Sequence, residues 1–195
     1  MVIMNNTSVL EEPTKTALAE ELWAEFYTKK GWGWLAVKTD SMMPLIQPGD
    51  QVLISRVIAE HIGRGDIIVF KRGGSMIVHR VLKKLCTDKG ICFIEKGDNS
   101  RGRGIFSADN VIGRVIMVKG DQKLFSLNSL FIRLTSRALS VWFYGTTVII
   151  NKCRSAAGQR VAWVLSLLSL SVSNILVRIC SVVWYIAGLR MKGNT

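Results

Sequence analysis

Between Trp34 and Val118 the chain is a succession of short β-type runs, each cut within a few residues by Gly, Pro or Asp. The runs are Trp34–Lys38, Gln51–Ser55, Asp66–Lys71, Met76–Lys83, Ile91–Glu95 and Val111–Val118. Segments this short and this evenly spaced predict a compact, mostly-β domain. Hydrophobic residues make up 49% of the 195, enough for a sizeable core and too many for a disordered chain. The length suits one domain with satellite segments.

Both flanks read as helical. Thr14 or Thr16 caps an expected helix that runs to about Lys29 and ends at Gly31 and Gly33. Its apolar residues Leu18, Leu22, Trp23 and Phe26 recur at three- and four-residue steps, with Glu20, Glu21 and Glu25 opposite. Beyond Gly120, Leu124–Ile150 and Val161–Leu189 are long, apolar and rich in Ser and Leu. Arg178 interrupts the second and leaves Val161–Val177, at the short edge of what crosses a bilayer. Trp142, Tyr144, Trp163, Trp184 and Tyr185 resemble interfacial anchors. Three arrangements fit this tail: a membrane span, an in-plane amphipathic pair, or helices folded onto the β domain. The expected organisation is an amphipathic helix in residues 1–33, a catalytic β domain in 34–120 and a basic helical tail in 121–195.

The formal charge of +12 is uneven. Residues 121–195 carry nine Lys or Arg against one acid, Asp121. Interleaved with Trp and aliphatics, these charges suit an anionic membrane surface better than nucleic acid, although an ordinary solvated basic face has the same composition. Cys86, Cys92, Cys153 and Cys180 lack metal-ligand spacing, so no metal or cofactor is expected. A three-residue hairpin loop would let Cys86 and Cys92 face each other, while reduced thiols are the default. His61 reads as a surface residue, and Asp50 and Asp66, each after Gly, as turn formers.

The stretch Thr39-Asp40-Ser41-Met42-Met43-Pro44-Leu45-Ile46-Gln47-Pro48-Gly49-Asp50 holds the first chemical signal. Pro44, Pro48 and Gly49 turn the chain just after a strand, which would present the Ser41 hydroxyl on a rigid elbow. A serine needs a neighbouring base to become a nucleophile. His79 lies in a second run, Ile77-Val78-His79-Arg80-Val81, where strand alternation points His79 and Arg80 to opposite faces. A neutral imidazole can take the serine proton and return it to the leaving amine.

In order along the chain come Ser41-Met42-x-Pro44, Pro48-Gly49-Asp50, Gly65-Asp66-Ile67-Ile68-Val69-Phe70, Val78-His79-Arg80-Val81 and Lys96-Gly97-Asp98-Asn99. These resemble the ordered boxes of type I signal peptidases, whose catalytic β fold is shared with LexA-type self-cleaving repressors. Some members place a Lys base immediately before the Arg, whereas the endoplasmic-reticulum version places a His. His79-Arg80 is similar to the latter, and none of Lys71, Lys83 and Lys84 occupies that slot. The resemblance implies a serine endopeptidase with Ser41 as nucleophile, His79 as base and Asp98 as the carboxylate behind the imidazole. It implies the Ser41 N–H and the Thr39 hydroxyl as oxyanion donors, and Met42 and Met43 as apolar surface for substrate. The implied partner is a protein or peptide with a signal or leader segment, bound as an extended strand.

Two features depart from that family. Acids that usually follow the last box are replaced by Ser100-Arg101-Gly102-Arg103-Gly104. Ordinary signal peptidases also carry a membrane anchor before the serine, whereas here the apolar segments follow the domain. With a polar Met1–Thr7 and no export signal, the expectation is a membrane-associated protein whose catalytic domain faces the cytoplasm. This order resembles signal-peptidase-like enzymes that mature ribosomally made peptides. A LexA-like self-cleaving regulator and an inactive membrane adaptor of the same fold are the alternatives.

Overall fold

A computed structural model describes residues 15–192 other than 89, 122 and 158, without the side chains of residues 15–21, 156–157, 161–162, 170, 174, 181 and 184–192. The chain divides into two compact units, Met1–Gly33 and Trp34–Thr195. In the first, helix α1 spans Lys15–Lys30. Trp23 stacks on Tyr27 one turn later, with ring centroids 5.0 Å apart, and Lys29 pairs with Glu25 at 2.8 Å. Gly31, at φ +74°, donates its N–H to the Tyr27 carbonyl and ends the helix in the left-handed region. Thr14, one of the expected caps, and the side chains of Leu18, Glu20 and Glu21 lie outside the described residues.

The second unit is built on an antiparallel sheet curled into a half-barrel. Its strands are β1 (Trp32–Ala36, which begins in the first unit), β2 (Gln51–Ser55), β3 (Ile67–Arg72), β4 (Ser75–Thr87), β5 (Gly90–Lys96), β6 (Gly104–Ser107), β7 (Val111–Lys119) and β8 (Leu124–Ser126). The spatial order is β1-β2-β7-β3-β4-β5-β6, with β8 paired to β7. Ile67, Ile68, Val69 and Phe70 of β3 are each at most 2% exposed between β7 and β4, which explains an apolar run without alternation. Phe70 and Phe106 stack at 4.1 Å, and Phe93, Ile62, Ile68 and Val81 complete that core. Register shifts at Leu53/Ile54, Val69/Phe70 and Val81/Lys83 bend the strands and re-aim their side chains.

The mostly-β domain with helices at both ends matches the expected fold, and six of its strands fall on the expected runs. Strands β6 and β8, of four and three residues, are too short to leave a periodic signal. Residues Leu124–Ser126, read from sequence as the start of a helix, pair instead with the edge of β7. The 87–90 turn puts Thr87 opposite Gly90, so Cys86 faces Ile91 and Cys92 faces Leu85. One residue out of register, the two thiols point to opposite sheet faces, and all four cysteines are free.

Helix α2 (Leu130–Ala157) and helix α3 (Gln159–Lys192) close the chain. Ile132, Ser136, Leu139, Ser140 and Phe143 form the buried stripe of α2, which lies against β4. The α3 helix packs on α2, where the Trp142 indole donates to Ser173 Oγ at 3.1 Å, and on β8. The tail is therefore folded onto the sheet along one side. Along the other, Trp163, Val164, Leu168, Val172, Ile175, Ile179 and Val182 remain exposed. Trp163–Cys180 is the one stretch among the described residues long and apolar enough to cross a membrane. The side chains of Trp184 and Tyr185 lie outside the description.

Gly65, at φ +91°, is where α2 meets the sheet most closely. A Cβ there would lie 2.7 Å from the Arg137 nitrogen and 2.8 Å from the Ser136 carbonyl carbon, both backbone atoms that cannot swing away. Gly73, at φ +54°, has open space around it. Gly65→Ala should lower unfolding free energy by about 3 kcal/mol or more, because backbone strain and helix displacement add. Gly73→Ala should cost only about 1 kcal/mol. Denaturant titration of both variants checks this, and equal midpoints would contradict the close packing of α2.

Candidate active site

The Ser41 elbow is a loop tied at its base. Val37 N–H donates to the Asp50 carbonyl at 2.8 Å and Gly49 N–H to the Val37 carbonyl at 2.9 Å. Within it, the Met43 N–H reaches the Asp40 carbonyl at 3.0 Å, and the Ile46 N–H reaches the Met42 carbonyl at 3.0 Å. Met42, Leu45 and Ile46 point inward at 0–2% exposure and pin the loop from below. Asp50 accepts from the Gln47 N–H and pairs with Lys123 Nζ at 2.6 Å, and Lys123 also donates to the Leu45 carbonyl. Asp66 accepts the Gly63 N–H at 2.9 Å. Both acids thus hold turns, and His61 is exposed on a short 3-10 turn.

Ser41 sits half-buried at the top of this loop, and Thr39 Oγ1 is 3.4 Å from Ser41 Oγ. The turn after β5 lies over it: the Asn99 N–H donates to the Ser41 carbonyl at 2.8 Å and its side chain to the Asp40 carbonyl at 3.3 Å. Gly97 lies between the Ser41 backbone and the His79 ring. A Cβ on it would lie 2.6 Å from the Ser41 carbonyl oxygen and 2.9 Å from His79 Nε2. Folding therefore brings positions 41 and 79 to a common point, and only glycine fits between them.

His79 stands on β4 opposite Ile68 of β3, with its side chain 14% exposed. Its Nδ1 is 2.5 Å from Glu95 Oε2, and the other oxygen of Glu95 accepts from Arg72 at 2.9 Å. Burial by itself would raise the Glu95 pKa, but hydrogen bonding and charge from His79, then from Arg72, outweigh it and hold the carboxyl below its usual value. An ionised Glu95 can only accept a hydrogen bond, so Nδ1 carries the proton and Nε2, the nitrogen beside Gly97, presents its lone pair.

Asp98 lies elsewhere than sequence reasoning put it. Fully buried, it binds Arg80 through both oxygens, at 2.6 Å to Nη2 and 2.7 Å to Nε. Strand alternation accounts for this, since His79 and Arg80 face opposite sides and Asp98 lies on the Arg80 side. Met42 also differs from expectation: with no exposed surface it is core, whereas Met43 is 36% exposed beside the serine. Glu95 was missed, although a carboxylate inside the apolar strand Ile91-Cys92-Phe93-Ile94-Glu95, across a hairpin from the His79 strand, is a readable signal.

Next to this pair, Lys96 is 5% exposed, donates to the Gly97 carbonyl at 3.0 Å and lies over the Phe143 ring at 4.5 Å. Burial, with Arg80 adding to it and Asp98 and Glu95 opposing it, lowers its pKa from 10.5 to about 8. No group of three or more His, Cys, Asp or Glu side chains among the described residues forms a metal cluster.

A family model described as Peptidase S24-like matches residues 5–116. The chain belongs to this family, within the LexA-like serine peptidase superfamily, and its class is that of a serine peptidase. Among curated proteins no match was found.

The depressed Lys96 pKa sets a sign for stability. From about pH 8 to 10.5 the unfolded lysine holds a proton that the folded one has released, so unfolding free energy rises with pH across that window. The span corresponds to roughly 3 kcal/mol. Wild type should gain this contribution relative to Lys96→Met between about pH 8 and 10.5, measured by denaturant unfolding of both proteins. Parallel stability curves for the two proteins would contradict it.

Proposed function

We propose that this peptidase cleaves signal or leader peptides, with Ser41 as nucleophile, His79 as general base and Glu95 as the carboxylate that orients the imidazole. The observation that carries the reading is the meeting of the Ser41 backbone and His79 Nε2 at Gly97, with His79 Nδ1 bound to Glu95. Ser41 Oγ attacks the scissile carbonyl as Nε2 takes its proton. The Ser41 N–H and the Thr39 hydroxyl face the oxyanion. The tetrahedral intermediate collapses as His79 returns the proton to the leaving amine, and water, activated by the same nitrogen, releases the acyl group. Met43 offers apolar contact to residues beside the cut, and the substrate backbone lies along a strand edge. The signal-peptidase specificity is supported by the order of the boxes and by His79-Arg80.

Ser41→Ala should abolish cleavage and let uncut peptides accumulate, read by mass spectrometry of cells carrying the variant. Cleavage at the wild-type rate would rule out this nucleophile. The two carboxylates should separate cleanly. Glu95→Gln should lower kcat by about 10²–10⁴-fold with the fold kept, as expected when an imidazole loses its orienting acid. Asp98→Asn should mainly destabilise, by about 3–5 kcal/mol, because it strands the buried Arg80. The reverse pattern of rates and melting midpoints would return Asp98 to the triad.

The exposed apolar side of α3, on a tail with a strong excess of Lys and Arg, supports membrane association. The full chain should sediment with vesicles containing anionic lipid, and less so at high salt, which screens the Lys and Arg charges. Failure to sediment with any vesicle would remove the membrane from the reading. Family membership favours one second reading, a self-cleaving regulator. That reaction would proceed at a rate independent of protein concentration.

A further inference from the structure

The tail helix α2 does more than cover the sheet. Behind the dyad lies a buried charged cluster whose members are at most 5% exposed: Arg80, Lys96 and Asp98. Two side chains of α2 close it. Ser136, 7% exposed, accepts a short hydrogen bond from Arg80 Nη1 and donates to the Gly65 carbonyl at 2.5 Å. Arg80 Nη1 also reaches that carbonyl at 3.2 Å. Phe143, 1% exposed, lies under the Lys96 ammonium.

Each contact leads to the Gly97–Ser100 turn. Arg80 holds Asp98 by two hydrogen bonds, and Lys96 holds the Gly97 carbonyl. That turn in turn binds the Ser41 carbonyl through the Asn99 N–H and abuts His79 Nε2 at Gly97. A chain of direct contacts thus runs from α2 through a guanidinium and a carboxylate to the spacing between nucleophile and base.

We infer that α2 is part of the catalytic unit and that Ser136 is a positioning residue for the Ser41–His79 pair. This rests on the nucleophile and base proposed above. Without the Ser136 hydroxyl, Arg80 Nη1 loses one of its acceptors and the Gly65 carbonyl a donor, so the guanidinium shifts and carries Asp98 and the turn with it. Reaction rates are steep in such displacements: about 1 Å of misplacement can cost on the order of 10²-fold.

The test uses the full-length protein and a fluorophosphonate probe, with the rate of adduct formation at Ser41 followed by mass spectrometry. Each variant is assayed at a temperature where circular dichroism shows it folded. Ser136→Val should label at least about 10-fold more slowly than wild type, within the range that misplacement produces. Ser136→Thr, which keeps the hydroxyl, should restore labelling to within a few-fold. Equal labelling of wild type and folded Ser136→Val, or no rescue by threonine, overturns the inference and leaves the dyad standing. Wild type that does not label at Ser41 contradicts the nucleophile itself. Should the valine variant fail to fold, Ser136→Ala is read by the same assay against the same threonine rescue.

Discussion

The buried pair of Arg80 and Asp98 organises the site. Two opposite charges with no exposed surface are tolerated because they pair through two hydrogen bonds, at 2.6 and 2.7 Å, while Ser136 and the Gly65 carbonyl accept from Arg80 Nη1. Once Arg80 has claimed both oxygens, Asp98 cannot serve the imidazole. The carboxylate on His79 must come from elsewhere, and β5 supplies it as Glu95. The same ion pair fixes the turn whose Asn99 N–H holds the Ser41 carbonyl.

Strand alternation then sorts charges into two sets. On one side of β4, Arg72, Glu95 and His79 form a line that reaches the surface, with the Arg72 side chain 43% exposed. On the other, Arg80, Asp98 and Lys96 are sealed by Ser136 and Phe143 of α2. The first set controls which imidazole nitrogen carries the proton. The second controls where the turn lies. Adjacent residues on one strand thus do different work because the pleat sends them to different environments.

The elbow and the strands were legible in the sequence because each has a local signature. Pro44, Pro48 and Gly49 mark the turn, and the runs from Gln51 to Ser55 and Val111 onward carry β-type residues between breakers. The partner of His79 was not legible in the same way. It depends on which face of β4 the turn after β5 reaches, and a register shift at Val81/Lys83 intervenes between the two strands. Met42 and Met43 are indistinguishable by composition, yet the loop buries one and exposes the other. The tail's apolar content could not reveal its packing either. Its buried stripe includes Ser136 and Ser140, which sequence patterning counts as polar.

Proton NMR of the imidazole of His79 tests the division between Glu95 and Asp98 most directly. In wild type the Nδ1 proton, held against Glu95, should resonate far downfield of the amide region. It should vanish in Glu95→Gln while the amide spectrum stays folded. An unchanged imidazole signal in that variant would contradict the assignment of Glu95 to His79, and with it the arrangement on which the proposed chemistry depends.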